Sequence, residues 1–260
     1  MRISIIGAGF SGCALATELA RAASSDVDIQ LVGVPESFGR GVAYGEARPE
    51  HLLNVRARDL GATADHPGEF ADWLNLTERA RTTFLPRLVY GEYLHSRLNA
   101  AAQLSLAGFN RIAQEAIAID REGPAFRVHL ADGSDFVSDR VVLTVGALPP
   151  QPLAGIGPRL AVHPSYIAWP WQNGLDGIGA IDHIAPNQRV LIIGTGLTMA
   201  DVVATLHRRG HRGPITALSR HGLLPQSHTD EPAAPIALPP TVLHAINTHD
   251  LRELVRALRA

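Results

Sequence analysis

Short apolar runs alternate with amphipathic segments along this chain of 260 residues, a pattern typical of an α/β protein. Residues 2–6 are a β-branched apolar run ended by glycine, and residues 28–32 form a second such run. Residues 12–23, between them, have the spacing of a helix built from small side chains. A strand–helix–strand pattern of about 30 residues is the size of a mononucleotide-binding βαβ half. We therefore predict a buried parallel sheet at the N-terminus.

A second strand–helix–strand pattern lies downstream, at residues 189–193, 197–209 and 214–218. Between the two patterns the sequence predicts helices at residues 67–75 and 91–107, followed by strands at residues 126–130 and 140–145.

A Pro/Gly-rich stretch at residues 147–158 is the expected boundary between two domains, residues 1–150 and 151–260. A proline-rich run at 231–240 precedes a last amphipathic helix, predicted at 249–259.

Charge and composition argue against several classes of partner. The formal net charge of −2 gives no electrostatic reason to bind nucleic acid or a membrane surface. The N-terminus lacks the features of a signal peptide, and no apolar run approaches the roughly 18 residues of a membrane span. We expect a cytoplasmic protein that acts on a small molecule. Cys13 is the single cysteine, and His207 and His211 lack a third ligand, so no metal site is predicted.

The first glycine-rich turn has the spacing Gly7-x-Gly9-x-x-Gly12, directly after the first strand. The first glycine permits a tight turn, the second lets the backbone approach a pyrophosphate, and the third lets helix and strand pack closely. The helix that follows presents free N–H groups and a partial positive charge to the phosphates. We therefore predict a nucleotide site here, with Ser11 as a phosphate donor.

An acid at the end of the second strand usually binds the adenosine ribose. That position is Gly33 in this chain, and Glu36 follows three residues later. Either Glu36 binds the ribose, or backbone or water holds it and Glu36 is a solvated loop acid.

The second turn, Gly194-Thr195-Gly196, has Met199 in place of the third glycine. The strand after it ends in Ser219-Arg220, and an arginine at this position suits the 2′-phosphate of NADP(H) rather than NAD(H). The alternative is an ordinary surface arginine.

The motifs, in this order, resemble the bacterial FAD/NAD(P)-binding protein family, which is related to two-dinucleotide flavoprotein oxidoreductases and monooxygenases. Besides the two turns, the resemblance rests on Gly39-Arg40-Gly41-Val42-Ala43-Tyr44-Gly45, His51-Leu52-Leu53-Asn54-Val55, Pro86-Arg87, Tyr90-Gly91-x-Tyr93, Thr144-Val145-Gly146, Trp169-Pro170-Trp171 and Leu218-Ser219-Arg220.

The resemblance implies an α/β fold with two Rossmann-like dinucleotide-binding units, an FAD domain and an NAD(P) domain, with a short C-terminal part. It implies FAD and NADP(H) as cofactors. It assigns cofactor binding to Gly7, Gly9, Phe10, Ser11, Gly12, Glu36, Arg40, Gly41, Asn54, Gly146, Gly194, Thr195, Gly196, Ser219 and Arg220. The chain departs from the family at Gly33 and Arg56, where glutamate and proline are usual, and at Thr144-Val145-Gly146, where Ala-Thr-Gly is usual.

By this resemblance the chain is an NADPH-dependent FAD oxidoreductase, monooxygenase-like, with hydride transfer from NADPH to FAD and on to oxygen or another acceptor. The cofactors carry such chemistry, so no acid–base pair is required, and the sequence identifies no catalytic residue. The alternatives are a non-catalytic dinucleotide-binding module and a single-cofactor enzyme, which would use only one of the two turns.

Overall fold

The computed structural model describes residues 1–63, 65–148, 150–171, 179–227, 239–248 and 251–259. These residues form two compact units, residues 1–223 and 224–260. The strands are β1 Arg2–Ile6, β2 Asp28–Val32, β3 Gly108–Ile112, β4 Ala116–Glu122, β5 Ala125–Leu130, β6 Asp135–Ser138, β7 Arg140–Leu143, β8 Val190–Ile193 and β9 Ile215–Leu218. The α-helices are α1 Phe10–Ala22, α2 Gly41–Gly45, α3 Glu69–Trp73, α4 Glu78–Arg81, α5 Arg87–Leu104, α6 Pro158–Ala161, α7 Leu197–Arg208, α8 Pro240–Thr248 and α9 Leu251–Arg259.

The main sheet has four parallel strands in the order β3-β2-β1-β7. Its central strands are apolar because both faces are covered, and Ile5, Ile29 and Leu31 are fully buried. Helices α1 and α5 pack in the same core, where Ala16 of α1 and Leu98 of α5 contribute fully buried side chains. The small side chains of α1 allow the helix to lie close to the strands.

A three-stranded antiparallel sheet, β4-β5-β6, forms a second core with the ends of the parallel strands. Val128 and Leu130 of β5 pack with Ile6 of β1 and Val32 of β2. The carboxyl ends of β1 and β2 are thus held by apolar contacts next to the first glycine turn.

The second pattern forms a separate two-stranded parallel sheet, β8-β9, in which Val190 pairs with Ile215. Helix α7 connects the two strands and buries Val202 and Leu206 in a core with Ile181. These βαβ units confirm the predicted α/β fold class with two Rossmann-like units.

The boundaries differ from the predictions mainly in the helices. Helix α1 begins at Phe10 and α5 at Arg87, both earlier than predicted, while the helix predicted at 67–75 is shortened to α3. The sequence did not predict β3, β4, β6 or α8.

Helix α8 begins at Pro240, at the end of the predicted proline-rich run, because proline is favourable in the first turn of a helix. Residues 231–238 of that run lie outside the described residues, as do residues 249 and 250 of the last predicted helix. The domain boundary at residue 150 stays a prediction.

Candidate functional site

A cleft of about 1290 Å³ lies at the carboxyl ends of the strands β1, β2 and β7. Ligands of parallel α/β sheets bind at this edge, and the volume exceeds the range of roughly 300–1,000 Å³ that is common for small-molecule pockets. Of the predicted cofactor-binding residues, those that line the cleft are Gly7, Gly9, Phe10, Ser11, Glu36, Arg40, Gly41 and Gly146.

The first turn has a backbone that requires glycine at its first position. Gly7 has φ of +107°, and its N–H donates a hydrogen bond of 2.9 Å to the carbonyl of Val32. A Cβ at Gly7 would lie 2.2 Å from the carbonyl oxygen of Thr144, which no relaxation of a side chain could relieve. The turn is therefore fixed between the neighbouring strands β2 and β7.

Helix α1 follows with no side-chain cap at Gly9, so the N–H groups of its first turn are available to an anion in the cleft. Gly41 crosses directly over this turn, and a Cβ on it would lie 2.9 Å from the Cα of Gly9. Gly12 does not line the cleft but packs beneath it, since its Cβ would meet the carbonyl oxygen of Gly7 at 1.9 Å.

Arg40 adds a fixed positive charge beside the turn. Its guanidinium lies 2.7 Å from Glu92, while its buried Nε has no hydrogen-bond partner among the described residues. This N–H donor is therefore available to an acceptor on a molecule bound beside it. The open helix terminus, the glycine cradle and Arg40 together fit a dinucleotide with its anionic pyrophosphate.

The position of the usual ribose acid is closed by packing. A Cβ at Gly33 would lie 2.6 Å from the Cβ of Ala8 and 2.8 Å from the hydroxyl of Ser37. Glu36 lines the cleft from a single 3₁₀ turn, Pro35–Ser37. Glu115, which sequence reasoning missed, lines it from the connection between β3 and β4.

At another part of the cleft lie Arg48, His51, Arg87 and Trp171. His51 is only 2% exposed, and its ring lies 4.6 Å from that of Trp171. Trp171 both packs with the core around α7 and lines the cleft. Asn54, which the resemblance assigned to cofactor binding, is exposed and is not a lining residue.

His51 joins the cleft to helix α7. Its Nδ1 accepts a hydrogen bond from the backbone N–H of Arg48 at 3.1 Å, so the ring proton is on Nε2, which donates to the hydroxyl of Thr205 at 2.8 Å. Burial lowers the pKa of His51, although Asp201 and Glu50 act in the opposite direction. Sequence reasoning had His51 within a quoted motif but assigned it no role.

The second turn repeats the backbone geometry of the first. Gly194 has φ of +107°, and its N–H donates a hydrogen bond of 2.7 Å to the carbonyl of Leu218. Helix α7 starts after Gly196, again without a side-chain cap.

Ser219 and Arg220 follow β9, the strand beside the second turn. The hydroxyl of Ser219 accepts a hydrogen bond of 3.0 Å from the N–H of Gly222, and the Arg220 side chain is exposed. The carboxyl end of the β8-β9 sheet therefore brings together five predicted residues, Gly194, Thr195, Gly196, Ser219 and Arg220. None of these five residues lines the cleft.

Among the described residues, no group of three or more His, Cys, Asp or Glu side chains is arranged to bind a metal ion. Within the same residues, no helix has both the length and the apolar character needed to cross a membrane.

Residues 4–148, more than half of the chain, match the sequence pattern of a family described as FAD-NAD(P)-binding. The chain belongs to this family. The match confirms the resemblance that the motifs suggested and the predicted cofactors, FAD and a nicotinamide dinucleotide. No curated protein sequence matches the chain closely enough to count as a relative.

Solved structures of flavoproteins share the fold at low sequence identity. The bacillithiol disulfide reductase of Staphylococcus aureus has a TM-score of 0.57 and 14% identity, over 88% of this chain and 60% of that one. A cyclohexanone monooxygenase variant from Rhodococcus sp. Phi1, bound to NADP⁺, has a TM-score of 0.54 and 19% identity, over 83% of this chain and 38% of that one. A flavin monooxygenase variant from Stenotrophomonas maltophilia has a TM-score of 0.51 and 18% identity, over 84% of this chain and 57% of that one. The chain thus spans less than two thirds of these proteins.

Proposed function

We propose that this protein is an NADPH-dependent FAD oxidoreductase, monooxygenase-like, acting on a small molecule in the cytoplasm. The observation that carries the proposal is the repeated turn geometry. Gly7 and Gly194 have the same φ of +107°, and each donates its N–H to the last residue of the neighbouring parallel strand. Two such turns, each opening a helix, offer two places for a dinucleotide pyrophosphate.

The cleft supports FAD as the first cofactor. In this proposal the first turn, with Phe10 and Ser11, receives the pyrophosphate, and the free Nε of Arg40 donates a further hydrogen bond. Glu36 is the candidate ribose ligand, and Gly146, which also lines the cleft, is a candidate contact to FAD. Asn54 does not line the cleft and is a candidate by resemblance alone. When bound, FAD supplies hydride acceptance from NADPH and electron delivery to oxygen or another acceptor.

The second turn supports NADPH as the hydride donor. Gly194, Thr195 and Gly196 are proposed to bind its pyrophosphate, with the hydroxyl of Ser219 and the exposed guanidinium of Arg220 at the 2′-phosphate. Arginine suits this phosphate because it presents paired N–H donors and a permanent positive charge. The proposed domains remain residues 1–150 for FAD and 151–260 for the nicotinamide coenzyme.

An absorption spectrum of the purified protein, followed by anaerobic titration with NADPH and with NADH, tests both cofactors. We expect a flavin band that NADPH bleaches faster than NADH. Arg220→Ala should reduce the preference for NADPH at least tenfold, whereas Arg212→Ala, an exposed arginine at the other end of β9, should leave it unchanged. Protein that is colourless and binds no added FAD would refute the proposal.

A non-catalytic dinucleotide-binding module is the second candidate, favoured by Met199 at the position of the third glycine and by the packed Gly33. FAD that binds but is not bleached by NADPH or NADH under anaerobic conditions would support this candidate over the enzyme.

A further inference from the structure

A group of buried and partly buried polar side chains joins the cleft to the helix that follows the second turn. We name it the bridging cluster, and it consists of Glu50, His51, Arg87, Asp201 and Thr205. Asp201 and Thr205 are four residues apart on α7 and therefore share one helix face. The other three come from the connection after α2 and from the start of α5. The cluster therefore contacts both nucleotide-binding halves.

Arg87 is held by three contacts. Its guanidinium lies 3.0 Å from the carboxylate of Asp201, and its Nε donates a hydrogen bond of 2.9 Å to the carbonyl of Leu52. Its backbone N–H donates a hydrogen bond of 2.8 Å to the carbonyl of His51. The cleft-lining Arg87 is thus fixed in direction, and Asp201 supplies its counter-charge.

Thr205 forms the other half of the cluster. Its oxygen accepts the hydrogen bond from Nε2 of His51, and its hydroxyl donates to Glu50 at 3.0 Å. Thr205 is fully buried and Asp201 is 9% exposed. Each hydrogen bond has a defined direction, because the backbone N–H of Arg48 keeps the ring proton of His51 on Nε2.

The cluster is not needed simply to attach α7, since Val202 and Leu206 already bury that helix against Ile181. Buried polar and charged groups add little net stability compared with apolar packing, but they permit only one arrangement of their partners. Asp201 and Thr205 lie five and nine residues after Gly196 in a continuous helix. Their contacts with Arg87 and His51 therefore constrain the direction of α7 and of the second turn that precedes it.

We propose that Asp201 and Thr205 are positioning residues which, through Arg87 and His51, set the second turn relative to the cleft and so align the nicotinamide coenzyme with the flavin. This inference rests on the proposed function. It assigns the two side chains to the coupling of the two sites, and not to the binding of either cofactor.

The test compares Thr205→Val, Thr205→Ser and Asp201→Asn with the wild type. Valine removes the hydroxyl with little change of shape, whereas serine retains it. Thr216→Val on β9 and Asp120→Asn on β4, both exposed positions, are the matched controls. Four quantities are measured: bound FAD, affinity for NADP⁺, the change that NADP⁺ causes in the flavin absorption band, and the anaerobic rate of flavin reduction by NADPH.

We expect Thr205→Val and Asp201→Asn to lower the reduction rate at least tenfold and to abolish the spectral response to NADP⁺. FAD content and NADP⁺ affinity should stay within about threefold of wild type, and Thr205→Ser should restore most of both signals. Asp201→Asn leaves the Arg87 guanidinium without its carboxylate, so Arg87→Met with Asp201→Leu provides an apolar pair that keeps the packing. This double variant should bind NADP⁺, but its flavin should still be reduced by NADPH more slowly than that of the wild type.

Wild-type rates and spectral responses in these variants would overturn the inference. So would parallel losses of FAD content, NADP⁺ affinity and thermal stability, because they indicate a merely structural role. Wild-type protein that binds no FAD, or whose flavin NADPH does not reduce, would instead refute the proposed function, so the two failures are distinguishable.

Discussion

The second and third glycines of the first turn, Gly9 and Gly12, have different roles, and substitution of each by alanine separates phosphate approach from packing. Gly9 has φ of −73° and ψ of −164°, which alanine adopts readily, and its Cβ would lie 3.5 Å from the Cα of Gly41, an ordinary contact. Loss of glycine at the helix N-cap costs about 0.5 kcal/mol. Alanine also lowers the conformational entropy of the unfolded chain, which stabilises the folded protein by about 0.4–1 kcal/mol. The two effects nearly cancel, so the free energy of unfolding of the apoprotein should change by less than about 0.5 kcal/mol.

The same methyl group should nevertheless weaken FAD binding, because Gly9 lines the cleft where the backbone must approach the pyrophosphate. Loss of one hydrogen bond to a charged group costs about 1.5–3 kcal/mol. That corresponds to a dissociation constant for FAD roughly 10- to 150-fold higher, at about 1.4 kcal/mol per tenfold.

Gly12→Ala is the matched comparison. Its Cβ would lie 1.9 Å from the carbonyl oxygen of Gly7 and 2.8 Å from the hydroxyl of Thr144, so the first turn itself must move. Overpacking of this kind costs about 1–3 kcal/mol. We expect Gly12→Ala to lose both stability and FAD affinity.

Urea unfolding of the apoproteins gives the two stabilities, and titration of FAD followed by its absorbance gives the two affinities. The reasoning fails if Gly9→Ala is as unstable as Gly12→Ala, since the contact geometry would then be wrong. It also fails if Gly9→Ala binds FAD as tightly as wild type, since no phosphate then approaches Gly9.

Three further predictions concern buried groups. Ser138→Ala should lower the free energy of unfolding by about 1–3 kcal/mol in urea titrations, because it removes the acceptor, 2.8 Å away, of the buried Ser4 hydroxyl; an unchanged midpoint contradicts this. Burial raises the pKa of the Cys13 thiol to about 11, so a thiol-specific reagent should label it only in urea, and rapid stoichiometric labelling of the native protein would contradict its 1% exposure. Burial lowers the pKa of His51 below its ordinary 6.5, so the unfolded chain takes up a proton first as the pH falls, and the stability present above about pH 6.5 should decrease below it. Burial raises the pKa of Asp201, and this shift favours the folded state as the pH falls, opposite to the effect of His51. The free energy of unfolding is therefore measured at pH 7.5 and 5.5 in wild type and in His51→Gln. Equal pH dependence in the two proteins refutes the role of His51.

The strands of the two strand–helix–strand units, β1, β2, β8 and β9, are the part of the fold that the sequence predicts best. The bounds of β1 and β2 agree with the predicted runs at 2–6 and 28–32, and β8 and β9 differ by one residue at their starts. Each of the four is a short, largely apolar run, and glycine directly follows three of them, β1, β2 and β8, so their limits are visible in the sequence.

The missed strands lack that signal. Strand β4 is largely exposed and contains Asp120 and Glu122, so its composition is that of a polar surface segment. Strand β3 contains Asn110 and Arg111 and is partly exposed along its length. Such strands depend on pairing with neighbours far along the chain, which a local pattern does not encode.

The candidate site likewise contains some residues that the sequence predicts and others that only the fold brings together. Residues of the first turn and Arg40 could be chosen from motifs, because each motif is contiguous and its purpose is local. The contact between His51 and Thr205 joins residues 154 positions apart, and only the packing of α7 brings them together. Glu115 was missed because it follows β3, a strand that was not predicted.

The two turns also differ in why glycine is required at their first position. At Gly7 both the backbone dihedral and the carbonyl of Thr144 exclude a side chain, because β7 lies beside β1. At Gly194 the φ of +107° is the same, but a Cβ would have no neighbour within 4 Å among the described residues. The first turn is therefore fixed by its place in a four-stranded sheet, whereas the second depends on its own dihedral and on β9. The positioning role proposed for Asp201 and Thr205 would give the second turn a constraint from outside its own sheet, which the first turn already has from β7.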